Sequence, residues 1–147
     1  MSNNVMIDSS VLIEYIKGRK RKLLVELIGD TNVNCFVNET VVSEYLYHFL
    51  AIYGGKSPMA VQKSRFINAI IASSFDYTFI DRFSFLSTDV SIIASVPELM
   101  SKYNLLPNDA IILATCKIHA ITQLASHDTD FEAACKAEGI TLLTEKN

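Results

Sequence analysis

Acidic residues stand at places in this sequence where a charge is costly. In the stretch NNVMIDSSVLIEYIKG, Asp8 directly follows the apolar run VMI. Asp109 begins the apolar segment of LLPNDAIILATC, Asp128 and Asp130 follow an apolar run in LASHDTDF, and Glu44 borders the apolar stripe of VVSEYLYHFL. A carboxylate beside a buried element loses hydration, so a hydrogen-bond donor, a base or a metal ion has to compensate it.

Each acid has an ordinary structural explanation when it is taken alone. Asp8 can cap the first helix, and Asp109 can interact with the positive end of its helix dipole, each worth ~0.5–2 kcal/mol. Asp128 and Asp130 can be turn residues, and Glu44 can be solvated. Together they are harder to explain, because unpaired carboxylates ~4 Å apart repel by ~4 kcal/mol at an effective dielectric constant of about 20.

A divalent cation is the simplest neutraliser for such a group. No Lys or Arg adjoins any of these acids in the sequence. Carboxylate oxygens, without Cys or a paired His motif, select the hard ions Mg²⁺ or Mn²⁺ over zinc. The sequence therefore predicts a Mg²⁺ or Mn²⁺ site of one or two ions, with His48 and His127 as surface residues.

Strands alternate with helices along the chain. Apolar runs predict strands at Val5–Ile7, Val33–Val37, DYTFI, AITQLAS and ITLLT. Helical spacing predicts helices after the first strand, from Leu23 to Gly29, from the cap Asn38 to a point before Gly54 and Gly55, from Ser57 and Pro58 toward Ala72, from Thr88 to Tyr103, from Pro107 to His119, and in DFEAACKA. This alternation indicates a three-layer α/β/α fold around a mostly parallel, five-stranded sheet.

Such folds place their sites at the carboxyl ends of the strands. Asp8 ends the first predicted strand, and Asp128 and Asp130 follow the fourth. We therefore expect these acids to meet at one edge of the sheet. The aromatic residues Tyr45, Tyr47 and Phe49 are expected to lie in the core.

Length and composition bound the class of protein. The 147 residues, 50 % hydrophobic and 20 % charged, predict a single domain spanning residues 1–147. No signal peptide and no apolar segment of ~20 residues is recognised, so we expect no membrane association. The widely spaced Cys35, Cys116 and Cys135 fit neither a disulfide framework nor a thiolate zinc site, which favours the cytoplasm.

A basic segment interrupts an otherwise acidic chain. The net charge of −3 excludes attraction of nucleic acid by the overall field, so any polyanion must meet a local patch. The segment KGRKRK supplies one at a turn set by Gly18, although a solvated turn explains it equally well. The candidate RNA-binding residues are Lys17, Arg19, Lys20, Arg21 and Lys22.

The motifs together resemble the PIN-domain family, in particular the VapC-like ribonuclease toxins of prokaryotic toxin–antitoxin pairs. The resemblance rests on IDSSVLIEYIKG, VVSEYL, LLPNDAIILATC and LASHDTDFEAA followed by a final strand, in the same order and spacing over nearly the whole chain. It implies a catalytic, metal-binding set of Asp8, Glu44, Asp109 and Asp128, supported by Asp130, Ser10 and Ser126. Whether Asp128 or Asp130 is the fourth acid stays open.

The resemblance also implies an activity and partners. The expected activity is metal-dependent endonucleolytic hydrolysis of RNA phosphodiester bonds. The expected partners are a second copy of the chain and a small VapB-like antitoxin that covers the acids, placing an Arg or Lys among them. A mean hydropathy of +0.25 is compatible with apolar interfaces of this kind.

Other interpretations of the sequence remain. A stand-alone PIN nuclease in RNA maturation, or an inactive PIN scaffold that binds RNA or protein, would have the same motifs. A phospho-acceptor receiver domain needs adjacent acids after the first strand, and IDSS offers one. A dinucleotide-binding enzyme needs glycines in that turn, and the turn lacks them.

Overall fold

A parallel sheet forms the centre of the protein. The computed structural model describes residues 3–145. Its strands are β1 (Asn3–Ile7), β2 (Val33–Val37), β3 (Ser84–Phe85), β4 (Gln123–Ala125) and β5 (Thr141–Leu143). They form a five-stranded sheet in the order β3-β2-β1-β4-β5, and every neighbouring pair is parallel.

Helices connect the strands on both faces of the sheet. They are α1 (Ser9–Ile16), α2 (Arg21–Gly29), α3 (Glu39–Gly54), α4 (Pro58–Lys63), α5 (Ile67–Ser74), α6 (Tyr77–Ile80), α7 (Val90–Tyr103), α8 (Pro107–Ile118) and α9 (Glu132–Glu138), with a 3₁₀ turn at Thr129–Phe131. The chain builds β1, β2 and β3 in one direction and then crosses back to add β4 and β5. Because such crossovers are right-handed, the helices of the two halves cover opposite faces, which confirms the predicted three-layer fold.

The two helices that carry site residues have clear local signals. The Asn38 side chain accepts a hydrogen bond from the Val41 amide at 2.9 Å and so caps the start of α3, and Gly55 caps its end in the left-handed region. Pro107 occupies the first turn of α8, where its missing N–H costs nothing. Most of α8 between Ala110 and Cys116 is buried, as its apolar sequence predicts.

The central strand explains why the chain can bury acids at its end. Val5, Met6 and Ile7 have no exposed surface, because helices cover both faces of the sheet at β1.

All three cysteines are buried as free thiols, and burial raises the pKa of Cys116 to about 12. Within residues 3–145, no helix has both the length and the apolar character needed to cross a membrane.

The third predicted strand is wrong. The segment DYTFI forms the short helix α6, because the Asp76 side chain accepts hydrogen bonds from the amide and the hydroxyl of Thr78 at 3.0 and 2.6 Å. The strand lies further along the chain at Ser84–Phe85, where it pairs with Phe36 and Val37. Two residues are too few to give an alternating pattern.

Two further expectations need correction. The helix predicted from Ser57 toward Ala72 is broken into α4 and α5, because Arg65 adopts a left-handed conformation with φ of 60°. Tyr45 and Phe49 lie in the core as expected, but Tyr47 is 54 % exposed. The outward-facing ring lies instead edge-on against the neighbouring His48.

Candidate active site

The register of the sheet brings the ends of β1 and β4 together. Ile7 pairs with Ala125, and the amide of Asp8 donates to the Ala125 carbonyl at 2.9 Å. Asp8 and Ser126 are therefore the first residues beyond neighbouring strands. From β1 the chain adds strands on one side as β2 and β3 and then on the other side as β4 and β5. The boundary between β1 and β4 is therefore the switch point of the sheet, and a crevice forms there at the carboxyl ends of the strands.

Two hydroxyl groups hold the carboxylate of Asp8. Ser10 and Ser126 donate to the same oxygen, Oδ2, at 2.6 and 2.8 Å, which leaves Oδ1 free of these two bonds. The serines also accept from the backbone amides of His127 and Asp128 at 2.9 and 3.0 Å. Asp8 is 4 % exposed, and burial raises its pKa although both hydroxyls act in the opposite direction.

Three carboxylates lie close enough to share one ion. Asp109, Asp128 and Asp130 each offer an oxygen, and these oxygens all lie within 4.8 Å of one another. The side chain of Asp128 also accepts from the Asp130 amide at 2.9 Å, which fixes the turn between them. The sequence left open which of Asp128 and Asp130 is the fourth acid, and in the structure both lie close enough to Asp109 to share an ion with it.

The pKa of Asp109 reflects the repulsion between the acids of this group. It lies in the first turn of α8, where the helix dipole favours a negative charge. Its pKa is nevertheless raised to about 7, first by burial and then by the charges of Asp8, Asp128, Glu44 and Asp130. The neighbouring acids and burial outweigh the dipole, so either a proton or a cation has to offset the charge of this group.

Glu44 completes the acidic group, by which we mean Asp8, Glu44, Asp109, Asp128 and Asp130. It lies half-buried on α3, and burial followed by the charge of Asp8 raises its pKa. The polar side chains of Asn108 and Ser9 lower this pKa in part. The Oε1 atom is buried and has no hydrogen-bond partner among the residues described. It is therefore available to a ligand.

The donor set suits a hard divalent cation. It consists of carboxylate oxygens, the ligands that Mg²⁺ and Mn²⁺ prefer. The ion pairs found within residues 3–145 involve Glu14, Glu26 and Glu138, and none includes a member of the acidic group. No side-chain cation there forms an ion pair with these carboxylates, so their chemistry fits a metal site.

A cleft adjoins the acidic group. It has a volume of about 730 Å³ and is lined by Ser10, Ile13, Glu14, Arg19, Lys20, His127, Asp128 and Thr129. Lys20 is half-buried there and lowers the pKa of His127, to which burial contributes most. We call this space the acid cleft. It brings two cationic side chains to the edge of the acidic group.

The basic segment is therefore divided. Arg19 and Lys20 line the acid cleft, whereas the guanidinium of Arg21 lies 4.2 Å from the ring centroid of Tyr15. Lys17, just after α1, lies 3.8 Å from the carboxylate of Glu14, and Lys22 lies 3.9 Å from that of Glu26 on α2. The sequence treated these cations as one patch, but their side chains have different surroundings.

The structure also reveals features that the sequence analysis missed. Thr115, the single hydroxyl in the run IILATC, is fully buried and accepts a hydrogen bond from Asn38 at 3.1 Å. A lone polar residue in such a run was the available signal. His127 is half-buried rather than a free surface residue, with its Nε2 atom buried, whereas His48 is exposed as expected.

Comparisons with known proteins agree with this geometry. The sequence model of the PIN domain matches residues 5–144. Ribonuclease VapC6 of Methanocaldococcus jannaschii is 33 % identical over 97 % of this chain and 98 % of its own length. Ribonuclease VapC2 of the same organism is 30 % identical over 88 % of each chain.

A solved structure has the same fold. The crystal structure of VapBC2 from Rickettsia felis, bound to a DNA fragment from their promoter, includes a chain that superposes with a TM-score of 0.65. The superposition covers 97 % of this chain and 99 % of that chain at 12 % identity.

Proposed function

Because the chain belongs to the PIN-domain family, we propose that it is a metal-dependent endoribonuclease and the toxin of a VapBC-type toxin–antitoxin pair. One observation carries the activity: the acidic group lies at the switch point of a parallel sheet, and one of its members, Asp128, lines a cleft that Arg19 and Lys20 also line. Carboxylates alone would repel RNA. Carboxylates that hold a divalent ion beside basic side chains can bind and cut it.

The acids have separate tasks in this proposal. Asp109, Asp128 and Asp130 would hold Mg²⁺ or Mn²⁺, with Oδ1 of Asp8 as a further proposed ligand. When bound, the ion supplies a water ligand of lowered pKa and neutralises charge on the scissile phosphate. Glu44 orients the attacking water and accepts its proton at the buried Oε1.

Ser10 and Ser126 position Asp8 for this task. Both hydroxyls donate to Oδ2, so the carboxylate is held in one orientation. The Ser10 hydroxyl also accepts a hydrogen bond from the His127 amide, and the Ser126 hydroxyl accepts one from the Asp128 amide. Through these bonds, the two sides of the switch point keep one geometry, which the proposed metal ligands require.

Single-stranded or looped RNA is the proposed substrate. Arg19 and Lys20 would bind phosphates on either side of the scissile one, because they share the acid cleft with Asp128. Two other cations of the basic segment already have partners: Arg21 lies over the Tyr15 ring, and Lys17 lies near the Glu14 carboxylate. RNA binding would therefore use part of that segment.

A nuclease of cellular RNA is also expected in the cytoplasm.

We further propose a homodimer and a VapB-like antitoxin as partners. A second cavity of about 370 Å³ lies between α1, α2, α3 and α6 and is lined by aromatic side chains that include Tyr15, Tyr45 and Phe79, together with the charged Arg21, Asp76 and Arg82. It would accept a segment of the antitoxin that carries both apolar and charged side chains. An Arg or Lys from its tail would then pair with the acidic group and compete with the metal.

The activity is tested with purified protein and a labelled single-stranded RNA. Cleavage should require Mg²⁺ or Mn²⁺, stop with EDTA and fall by at least about a hundredfold in Asp109→Asn. The control is Glu98→Gln, which removes an exposed acid on α7 and should cut RNA as the wild type does. A wild type that binds no metal and cuts no RNA refutes the activity.

The toxin role needs a separate experiment in cells. Expression of the chain alone should stop growth, and co-expression with the adjacent open reading frame should restore it. Size exclusion of the co-expressed proteins should show a complex, and the isolated chain should elute as a dimer. If the chain cuts RNA but leaves growth unaffected and its neighbour neither binds nor inhibits it, a nuclease of RNA maturation explains the protein better.

A further inference from the structure

We propose that Asn38 and Thr115 are positioning residues for the acidic group. Their hydrogen bond sets the placement of α3 against α8 and thereby the separation of Glu44 from Asp109. This inference rests on the proposed metal-dependent activity. It assigns a task to two side chains that would not touch the metal or the RNA.

The bond lies in the interior of the protein. Asn38 and Thr115 both have 0 % exposure, and Nδ2 of Asn38 donates to Oγ1 of Thr115 at 3.1 Å. Oδ1 of Asn38 accepts from the Val41 amide at 2.9 Å, and Oγ1 of Thr115 donates to the Ile111 carbonyl at 2.8 Å. Each helix is thus bound to the polar pair through its own backbone.

The position of the pair relates it to the site. Glu44 lies six residues after Asn38, and Asp109 lies six residues before Thr115. Glu44 lies beside the start of α8, since the Asn108 side chain lowers the pKa of Glu44 and the Glu44 charge contributes to the raised pKa of Asp109. The two helices therefore pass in opposite chain directions, with the polar pair at one crossing point and the acids ~9 Å further along each.

The forces at these two points oppose each other. The charges of Glu44 and Asp109 repel and push α3 away from α8 at the site. Apolar packing between helices tolerates small sliding motions, whereas a buried hydrogen bond has one length and one direction. A hydrogen-bonded polar pair in an apolar core adds little net stability. The contribution proposed for this pair is therefore to fix the spacing of α3 and α8.

Loss of the bond should weaken metal binding. Thr115→Val keeps the shape of the side chain and removes the hydroxyl, while Thr115→Ser restores it. Isothermal titration calorimetry of Mn²⁺ on the metal-free full chain should show about tenfold weaker binding for Thr115→Val, the lower end of what displaced supporting groups cost. Thr115→Ser should bind as the wild type does.

The kinetic effect should be confined to the chemical step. Arg19 and Lys20 line the acid cleft and make no contact with the polar pair in the hydrogen bonds found. KM for RNA should therefore stay unchanged while kcat falls by about tenfold in Thr115→Val. A purely structural role would lower stability and leave kcat of the folded protein intact.

Asn38→Ser provides a second variant. Serine keeps an oxygen that can cap α3 and removes the Nδ2 donor, so the variant folds even if the orphaned amide of Thr115→Val prevents folding. It should weaken Mn²⁺ binding in the same direction. Tyr103→Phe is the control, because the Tyr103 hydroxyl donates to Glu138 at 2.6 Å between α7 and α9. It should lower stability without changing Mn²⁺ binding.

The outcomes separate the two proposals. Normal Mn²⁺ binding and kcat in Asn38→Ser, and in Thr115→Val where it folds, overturn the positioning role while the nuclease stands. A wild type without Mn²⁺ binding and without RNA cleavage overturns both. Weakened binding in Tyr103→Phe equal to that of Asn38→Ser also overturns the inference, because any loss of stability would then explain it.

Discussion

The hydroxyl of Ser126 joins the two sides of the switch point by donating to Oδ2 of Asp8 at 2.8 Å. Ser126 follows β4 and Asp8 follows β1, and the same hydroxyl accepts from the amide of Asp128 at 3.0 Å. One side chain therefore connects an acid of each strand end. The proposed metal ligands depend on this connection more than on either loop alone.

Ser126→Ala should destabilise the protein and weaken its metal response. The change leaves a buried carboxylate with one hydroxyl donor fewer, which costs ~1.5–3 kcal/mol in the free energy of unfolding. Urea denaturation, with and without Mn²⁺, measures both effects. Ser126→Thr keeps the hydroxyl and should retain the Mn²⁺ response. An alanine variant as stable and as metal-responsive as the wild type would contradict the role of this bond.

Mn²⁺ should raise the thermal stability of the wild type. A ligand that binds the folded state alone stabilises it by about 2.7 kcal/mol at 100 times Kd, which corresponds to roughly 5–10 °C in Tm for a chain of this size. Asp8→Asn and Asp109→Asn should lose this shift, and the metal-free Asp109→Asn protein should be more stable than the wild type because a like charge is removed. Glu98→Gln should keep the full shift. The prediction fails if millimolar Mn²⁺ leaves Tm unchanged.

The metal-free protein should lose stability as the pH rises toward 7. The pKa of Asp109 is raised from 3.8 to about 7 in the folded state, so between these values the folded protein holds a proton that the unfolded chain has released. Asp8 and Glu44, whose pKa values are also raised, act in the same direction. The unfolding free energy in EDTA should therefore fall from about pH 5 to about pH 7.5 and then level off.

Two controls identify the source of this pH dependence. Asp109→Asn should make the fall of the curve shallower, because one of the three carboxyl groups with a raised pKa is gone and only Asp8 and Glu44 remain. Saturating Mn²⁺ should reverse its slope, because the metal binds deprotonated carboxylates. Carboxylates with lowered pKa, such as Glu39 and Glu138, act only at more acidic pH. His127, whose pKa is lowered, opposes the fall within this window, and its contribution is common to the wild type and Asp109→Asn. A metal-free stability that rises from pH 5 to pH 7 would contradict the raised pKa of Asp109.

Two double variants should separate the halves of the basic segment. Binding of single-stranded RNA is measured by fluorescence anisotropy over a range of salt concentrations, in an Asp109→Asn background that does not cut. Arg19→Ala with Lys20→Ala should reduce the slope of log K against log salt by up to ~1.4, or ~0.7 for each lost phosphate contact. Arg21→Ala with Lys22→Ala removes the same charge and should leave the slope unchanged. Equal effects of the two variants would show that the whole segment binds RNA, as the sequence suggested.

Gly54→Ala should destabilise the helices beyond α3 without affecting the site. A Cβ atom at this position would lie 2.6 Å from Cγ2 of Val61 and 3.0 Å from Cδ1 of Ile70. Such overpacking costs about 1–3 kcal/mol, measured as a lower urea midpoint. Gly29→Ala is the control, because its Cβ would meet nothing within 4 Å and alanine favours the helix. A neutral Gly54→Ala would show that α4 and α5 can move away.

Local signals in the sequence determined much of the framework. The apolar runs of β1 and β2, the cap at Asn38 and the proline at the start of α8 are properties of short segments, and the structure confirms each. The alternation of strands and helices implies parallel strands, whose carboxyl ends meet at one edge. The sequence by itself could therefore place Asp8 and Asp128 at strand ends on one edge of the sheet, whereas the fold made those two strands neighbours.

Contacts between distant segments decided the rest. β3 formed from two residues because β2 offered an edge. The helix α6, in contrast, follows from a local cap at Asp76 that the apolar run DYTFI did not reveal. The packing of α1 and α2 sent Lys20 into the acid cleft and Arg21 onto an aromatic ring. Periodicity indicates which face of an element is apolar, but the direction of a polar side chain depends on the partners that tertiary packing supplies. The bond from Asn38 to Thr115 spans 77 residues of sequence, and only the fold brings its two ends together.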